Sequence, residues 1–134
     1  MGFSDLPLLD QIKGRMSWLD ERQRVIAQNV ANSDTPGYVG RDLKAPPDFA
    51  AALREGGALQ MTRTSANHIA PSAPQSRFHT SAAPDSETTL DGNSVVVEEQ
   101  MLKMAESRMA YDAAISFYQK SMNMLRMAAR GPGR

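Results

Sequence analysis

A chain of 134 residues with 15 lysines and arginines against 15 aspartates and glutamates has the length of one modest domain, and no net field draws it toward nucleic acid or an anionic membrane. It has no cysteine, which excludes disulfide frameworks, thiolate nucleophiles and thiolate metal sites. No apolar stretch approaches the ~20 residues of a membrane helix, and Met1 to Leu9 lacks the basic start and apolar run of a cleavable secretion signal, so a chain that leaves the cytoplasm takes another route.

From the start, Leu9, Ile12, Met16, Leu19, Gln23, Ile26 and Val30 alternate at spacings of three and four, which places one apolar seam along a helix within residues 1–32. Lys13, Asp20, Glu21 and Arg24 take the opposite, wet face, and Trp18 and Val25 lie off the seam. An isolated helix of ~20 residues is marginal in water, so this one needs packing partners.

The run from Asn29 to Tyr38 closes that helix. Asn32 tolerates the left-handed conformation that ends helices, Pro36 fixes φ at the second position of a turn, and Gly37 supplies positive φ at the third. Tyr38 then anchors the reversed chain on the helix.

Residues 33–93 read as an irregular, partly extended middle segment. Pro46-Pro47, Gly56-Gly57, Pro71, Pro74 and Pro84 forbid a long helix, while Leu59 to Thr64 alternates like a short strand. A loop of this length is unusual inside a compact domain and suits a segment that orders on meeting a partner.

The last segment, 94–134, restores the period: Val97, Met101, Met104, Arg108, Tyr111, Ile115, Tyr118, Met122, Leu125 and Ala129 keep a sustained heptad alternation, as in a coiled coil. Asn93 or Ser94 is expected to cap it, Glu98 and Glu99 complement the positive end of its dipole, and Arg126 and Arg130 the negative end. Branched Val95-Val96-Val97 favours an extended entry, and Gly131-Pro132-Gly133 ends the helix. The expected fold is mainly α, with the N- and C-terminal helices paired as an antiparallel coiled coil. In that pairing Val30 lies near Val97, and Gln23 and Arg108 form a polar layer that fixes register.

No catalytic constellation stands out. His68 and His79 lack the spacing of a helical two-ligand metal site, and Ser72, Ser76 and Ser81 lack the context of a nucleophile elbow. The chain reads as non-enzymatic and free of cofactor.

Asn29-Val30-Ala31-Asn32-Ser33-Asp34-Thr35-Pro36-Gly37-Tyr38, after an apolar seam and before Arg41-Asp42, resembles the signature of the flagellar rod and hook proteins. Asp42 to Leu53, Thr64 to Ile69 and Leu90-Asp91-Gly92-Asn93-Ser94-Val95 make the likeness strongest to the proximal rod members. FlgC is the nearest competitor, since Val97-Glu98-Glu99-Gln100-Met101 partly echoes its last-helix opening.

The resemblance implies a structural subunit of the periplasmic rod, exported by the flagellar type III apparatus. Its implied partners are further copies of itself, FlgC, FlgF, the adaptor FliE, and the export-gate proteins FliP and FliR. No nucleic acid, small-molecule substrate or direct membrane insertion is implied. Phe49 and Leu53 fit the Phe-x-x-x-apolar element read at the export gate. The expected assembly seam comprises Ile12, Met16, Leu19, Ile26 and Val30 with Met101, Met104, Tyr111, Ile115, Tyr118, Met122 and Leu125; Asn29, Asn32, Thr35, Pro36, Gly37 and Tyr38 form the family turn. A coiled-coil adaptor is the alternative from another class: it predicts a closed stoichiometric complex, where a rod subunit predicts open head-to-tail addition.

Overall fold

The computed structural model describes residues 7–45 and 78–131. Its elements are α1 (Pro7–Ala31), β1 (Arg41–Leu43), β2 (Thr80–Ala82) and α2 (Val97–Arg130). Pro7 suits a first helical position, where φ is preset and no N–H is needed, and Asp10 complements the dipole. At the far end Gly131, at φ 63°, stops α2 as expected.

The two helices pack antiparallel. Asn29 near the end of α1 bonds Gln100 near the start of α2, and further along Tyr111 packs on the cluster containing Trp18 and Leu19. Across one side of α1 lies an antiparallel ribbon in which Arg41, Asp42 and Leu43 face Ala82, Ser81 and Thr80. Bonds from Lys44 N–H to the His79 carbonyl and from Ala83 N–H to the Gly40 carbonyl lengthen it at both ends.

That ribbon explains a departure from the expected seam. Trp18 and Val25, off the seam, are buried along with Leu19, because Leu43 joins their cluster and Phe78 packs against it. The indole N–H donates to the Lys44 carbonyl at 2.8 Å, and the Arg15 guanidinium lies over its ring at 4.6 Å. Arg22 also forks onto the Asp42 carboxylate with two contacts of 3.1 Å, so β1 is tied to α1 by packing and by charge.

The face that α2 turns to α1 is shifted by about one position from the expected one. Its buried residues are Gln100, Ser107 and Ser121, in heptad register with Ala114, and beside them Met104, Tyr111, Tyr118 and Leu125 are half-buried. Small side chains thus alternate with large ones, so α1's Leu9, Ile12, Leu19 and Ile26 can approach closely. Met101, Arg108 and Val97, assigned to the seam by period, are exposed. Arg108 is outside, and the polar pair buried between the helices is Asn29 with Gln100, not Gln23 with Arg108.

Three smaller expectations also need correction. Asn32 does not take positive φ; its side-chain N–H₂ donates to the Gln28 carbonyl instead. Neither Asn93 nor Ser94 caps α2, whose preceding residue is the extended Val96 (φ −103°, ψ 114°). Val96 is extended, as its branching favours, whereas Val97 already begins α2. The strand expected at Leu59 to Thr64, the export element Phe49 with Leu53, and His68 lie outside the described residues.

Candidate functional site

At the end of the helix pair where α1 finishes and α2 begins, the two motif segments that are 50 or more residues apart in sequence meet in one knob. The Thr35 carbonyl accepts from Tyr38 N–H at 3.2 Å, closing a turn whose third residue, Gly37, has φ 71°. This is the type II geometry that Pro36-Gly37 prescribes. Gly37 N–H then donates to the Asp91 carbonyl at 2.9 Å, and Ser94 N–H to the Tyr38 carbonyl at 3.0 Å. Gly92, at φ 86°, passes so close that a Cβ on it would sit 3.4 Å from Gly37 Cα.

Asn93 is the lock between the two. Its side-chain N–H₂ donates to the Asn32 and Thr35 carbonyls at 2.9 and 2.8 Å, and its Oδ1 accepts from Val95 N–H. Both carbonyls lie just past the end of α1 and already accept from Thr35 N–H and Tyr38 N–H, so Asn93 adds a second bond to each from the other end of the chain. Gly40 is fixed by space: a Cβ there would stand 3.0 Å from the Ala83 carbonyl oxygen.

Under the turn runs a polar spine. Asn29, fully buried, donates to the Arg41 carbonyl (2.6 Å) and to Gln100 Oε1 (2.9 Å), and accepts from Arg41 N–H (3.0 Å) and the Tyr38 hydroxyl (3.2 Å). All four side-chain valences are used. Gln100 passes the chain on to Asp85 at 2.7 Å, and Asp85 also accepts from Val96 N–H and Lys103 Nζ, both at 2.8 Å.

Burial works against the charged Asp85, but Lys103, Gln100 and the Val96 N–H outweigh it and hold the carboxyl below its ordinary range. Asp91 is likewise lowered, by the Thr89 hydroxyl and then by the Asn93 N–H. Tyr38 thus anchors the turn as its position suggested. Asp85, Asn93 and Gln100 carried no such signal individually, although Asn93 lies inside the Leu90 to Val95 run.

Along the helices, Ile12, Leu19 and Ile26 are buried, Met16, Val30, Met104, Tyr111, Ile115, Tyr118, Met122 and Leu125 are half-buried, and Met101 is exposed. Outside that set, Leu102, Met109, Phe117, Met124 and Met127 are exposed along α2. Leu102 and Met109 stand two residues, about 200° of helix, past the buried Gln100 and Ser107, so they lie on the side away from α1. Among the described residues no helix is long and apolar enough to cross a membrane.

Residues 13–38, from α1 through Tyr38, match the family described as "Flagella basal body rod protein". Relatives named "Flagellar basal body rod protein FlgB" match most of the chain. That of Proteus mirabilis is 35% identical over 112 residues, covering 76% of this chain and 78% of its own. That of Escherichia coli K12 is 31% identical over 102 residues (72% and 73%), and that of Bacillus subtilis 168 is 27% identical over 124 residues (92% and 93%). The match in α1 and the turn, extended by these relatives over most of both chains, places this chain in the FlgB family of flagellar basal body rod proteins.

Proposed function

We propose that the chain is a structural subunit of the flagellar rod and that it adds to its neighbours through the outer face of α2. The observation that carries this is the exposure of Leu102, Met109, Phe117, Met124 and Met127 on a helix whose other face is already committed to α1. Burying the exposed half of one such side chain is worth about 1 kcal/mol, so a lateral neighbour that covers five of them gains several. Met101, also exposed, borders this face and extends the contact, while the half-buried Met104, Ile115, Tyr118, Met122 and Leu125 lie toward α1. The knob of Asn29, Asn32, Thr35, Pro36, Gly37 and Tyr38 fixes the angle and level at which the helix pair is presented. Methionine's pliant thioether suits a surface that must fit neighbours that are not identical.

The finer reading rests on family resemblance. The subunit passes the type III export gate, with Phe49 and Leu53 as the element read there, and reaches the periplasmic side. It then meets FliE, FliP and FliR below and FlgC and FlgF above. The coiled-coil adaptor is not favoured, because the rod relatives match over most of the chain.

The test is Leu102→Asp combined with Met109→Asp. Both side chains are exposed, so the purified variant should keep its helix content by circular dichroism. In cells it should be lost from detergent-extracted basal bodies, and swimming with it. Normal incorporation of that variant would remove the outer face from the account.

A further inference from the structure

Helix α2 outruns its partner. Asn29 bonds Gln100, and Tyr111 packs on the cluster of Trp18 and Leu19, so residue numbers on the two helices run in opposite directions at equal rise. Pro7, where α1 begins, lies 22 residues before Asn29 and therefore stands level with Met122, 22 residues after Gln100. The count from Trp18 and Tyr111 gives the same level. From Asn123 to Arg130, about two turns and 12 Å of α2 continue past the start of α1.

Those turns carry an apolar site. Met122, Leu125, Arg126 and Ala129 line a groove of about 170 Å³, and Met122 and Arg126 also line an adjoining cleft of about 410 Å³ with Tyr118, Gln119 and Asn123. Leu125 and Ala129 lie about 40° and 80° of helix from the buried Ser121, on the flank beside α1, whereas Leu102 and Met109 lie about 200° from Gln100 and Ser107 of that buried face. Groove and outer face are thus different surfaces. A cavity of about 150 Å³ takes a benzene ring, so the groove has the size for one aromatic side chain.

Its rim is basic. Beyond Asp112, α2 has Lys120, Arg126 and Arg130 and no acid. Asp10 of α1 is level with Gln119, beside Lys120, and falls about 10 Å of helix short of Arg126. Among the described residues Arg126 has no ion-pair partner.

Residues 1–6 join the chain at Pro7, level with Met122, and contain one aromatic side chain, Phe3, and one charged side chain, Asp5. Phe3, four residues before Pro7, reaches from about 6 Å as helix to about 14 Å when extended. Leu125 and Ala129 stand about 5 Å and 10 Å past the Pro7 level, within that reach.

We propose that residues 1–6 of the same chain dock along the last two turns of α2, with the Phe3 ring in the groove of Met122, Leu125 and Ala129 and the Asp5 carboxylate against the Arg126 guanidinium. Attachment favours this occupant over a separate molecule, because a short tether holds it at a roughly millimolar effective concentration. The groove is closed within one molecule, and the outer face of α2 is left as the apolar surface open to neighbours.

The chain's lack of cysteine makes the test direct, and a disulfide forms only where the two Cα atoms come within about 7 Å. Ser4→Cys with Ala129→Cys is made in one full-length chain, purified and oxidised in dilute solution, with Ser4→Cys and Met124→Cys, on the opposite flank, as control. Helix content by circular dichroism should match that of the native chain, since Ala129 and Met124 are both exposed. The expected product is a disulfide closed within the monomer, formed about tenfold faster for Ser4–Ala129 than for the control. Adding Phe3→Ser should slow it about tenfold, the worth of burying the ring. Asp5→Arg should slow it too, and Arg126→Glu on top should recover it. A Ser4–Ala129 pair that closes no faster than the control, closes equally fast with Phe3→Ser, or links two chains instead of closing one overturns the proposal. Because the purified chain is assayed, any of these results leaves the rod reading standing, and recovery with basal bodies judges that reading separately.

Discussion

Replacing Asn29 by alanine isolates the knob's contribution to stability. The substitution strips hydrogen bonds from Gln100 Oε1, the Arg41 carbonyl, the Arg41 N–H and the Tyr38 hydroxyl. Gln100 is fully buried, and an orphaned buried acceptor costs about 1–3 kcal/mol. The other three partners are half-exposed and can recover water, at about 0.5–1 kcal/mol each. Asn29→Ala should therefore destabilise by about 2.5–6 kcal/mol, a large share of the stability of a domain this small. Asn32→Ala is the matched control. Its side-chain bonds, to the Gln28 carbonyl and from Thr35, are exposed, and it should lose under about 1 kcal/mol. Urea unfolding followed by circular dichroism measures both, read as a shift of midpoint at constant slope. Equal losses for the two variants would refute the claim that the buried spine joins the helices.

Other outcomes follow from the same geometry. Gly40→Ala drives a methyl to 3.0 Å from the Ala83 carbonyl oxygen and should cost about 1–3 kcal/mol, whereas Gly14→Ala, which meets nothing within 4 Å in mid-helix, should stabilise by about 0.5–1 kcal/mol; thermal unfolding separates the two signs. Because the folded-state pKa of Asp85 is lowered, its contribution is present above the ordinary carboxylate range of about 3.9 and is lost as pH falls through the folded value. Midpoints measured down through that range should fall more steeply for the native chain than for Asp85→Asn, and parallel curves would exclude Asp85 as the acid-sensitive group. Asn29→Leu with Gln100→Leu should keep helix but allow more than one helix register, whereas Gln23→Leu with Arg108→Leu should leave one; disulfide trapping between α1 and α2 distinguishes them.

The first helix was legible because its large apolar residues nearly all lie on one side, so the spacing of Leu9, Ile12, Leu19 and Ile26 reports the buried face. The last helix misled by one position for a physical reason. Its large apolar residues occur on several sides, whereas the face against α1 is lined by Gln100, Ser107 and Ser121, which periodicity reads as polar. Burial of Trp18 and Val25 depends on a ribbon of three-residue strands far apart in sequence, too short to leave a period-2 signal. The Pro36-Gly37 turn was readable from two residues whose backbone preferences are strong. Asn93 and Ser94 look like helix caps because their side chains readily bond backbone groups; here those groups are the Asn32 and Thr35 carbonyls of the turn after α1 and the Gly40 N–H, a long-range pairing that local spacing does not encode.

The account stands on closure of the outer face of α2 against neighbouring subunits. Met109 and Met127 are the most exposed methionines on it, at 73% and 66%, and thioether oxidation by peroxide followed by mass spectrometry reports their access to solvent. Oxidation of both in the purified chain, and protection of both in isolated basal bodies, is the predicted result. Equal oxidation in the two states would contradict it.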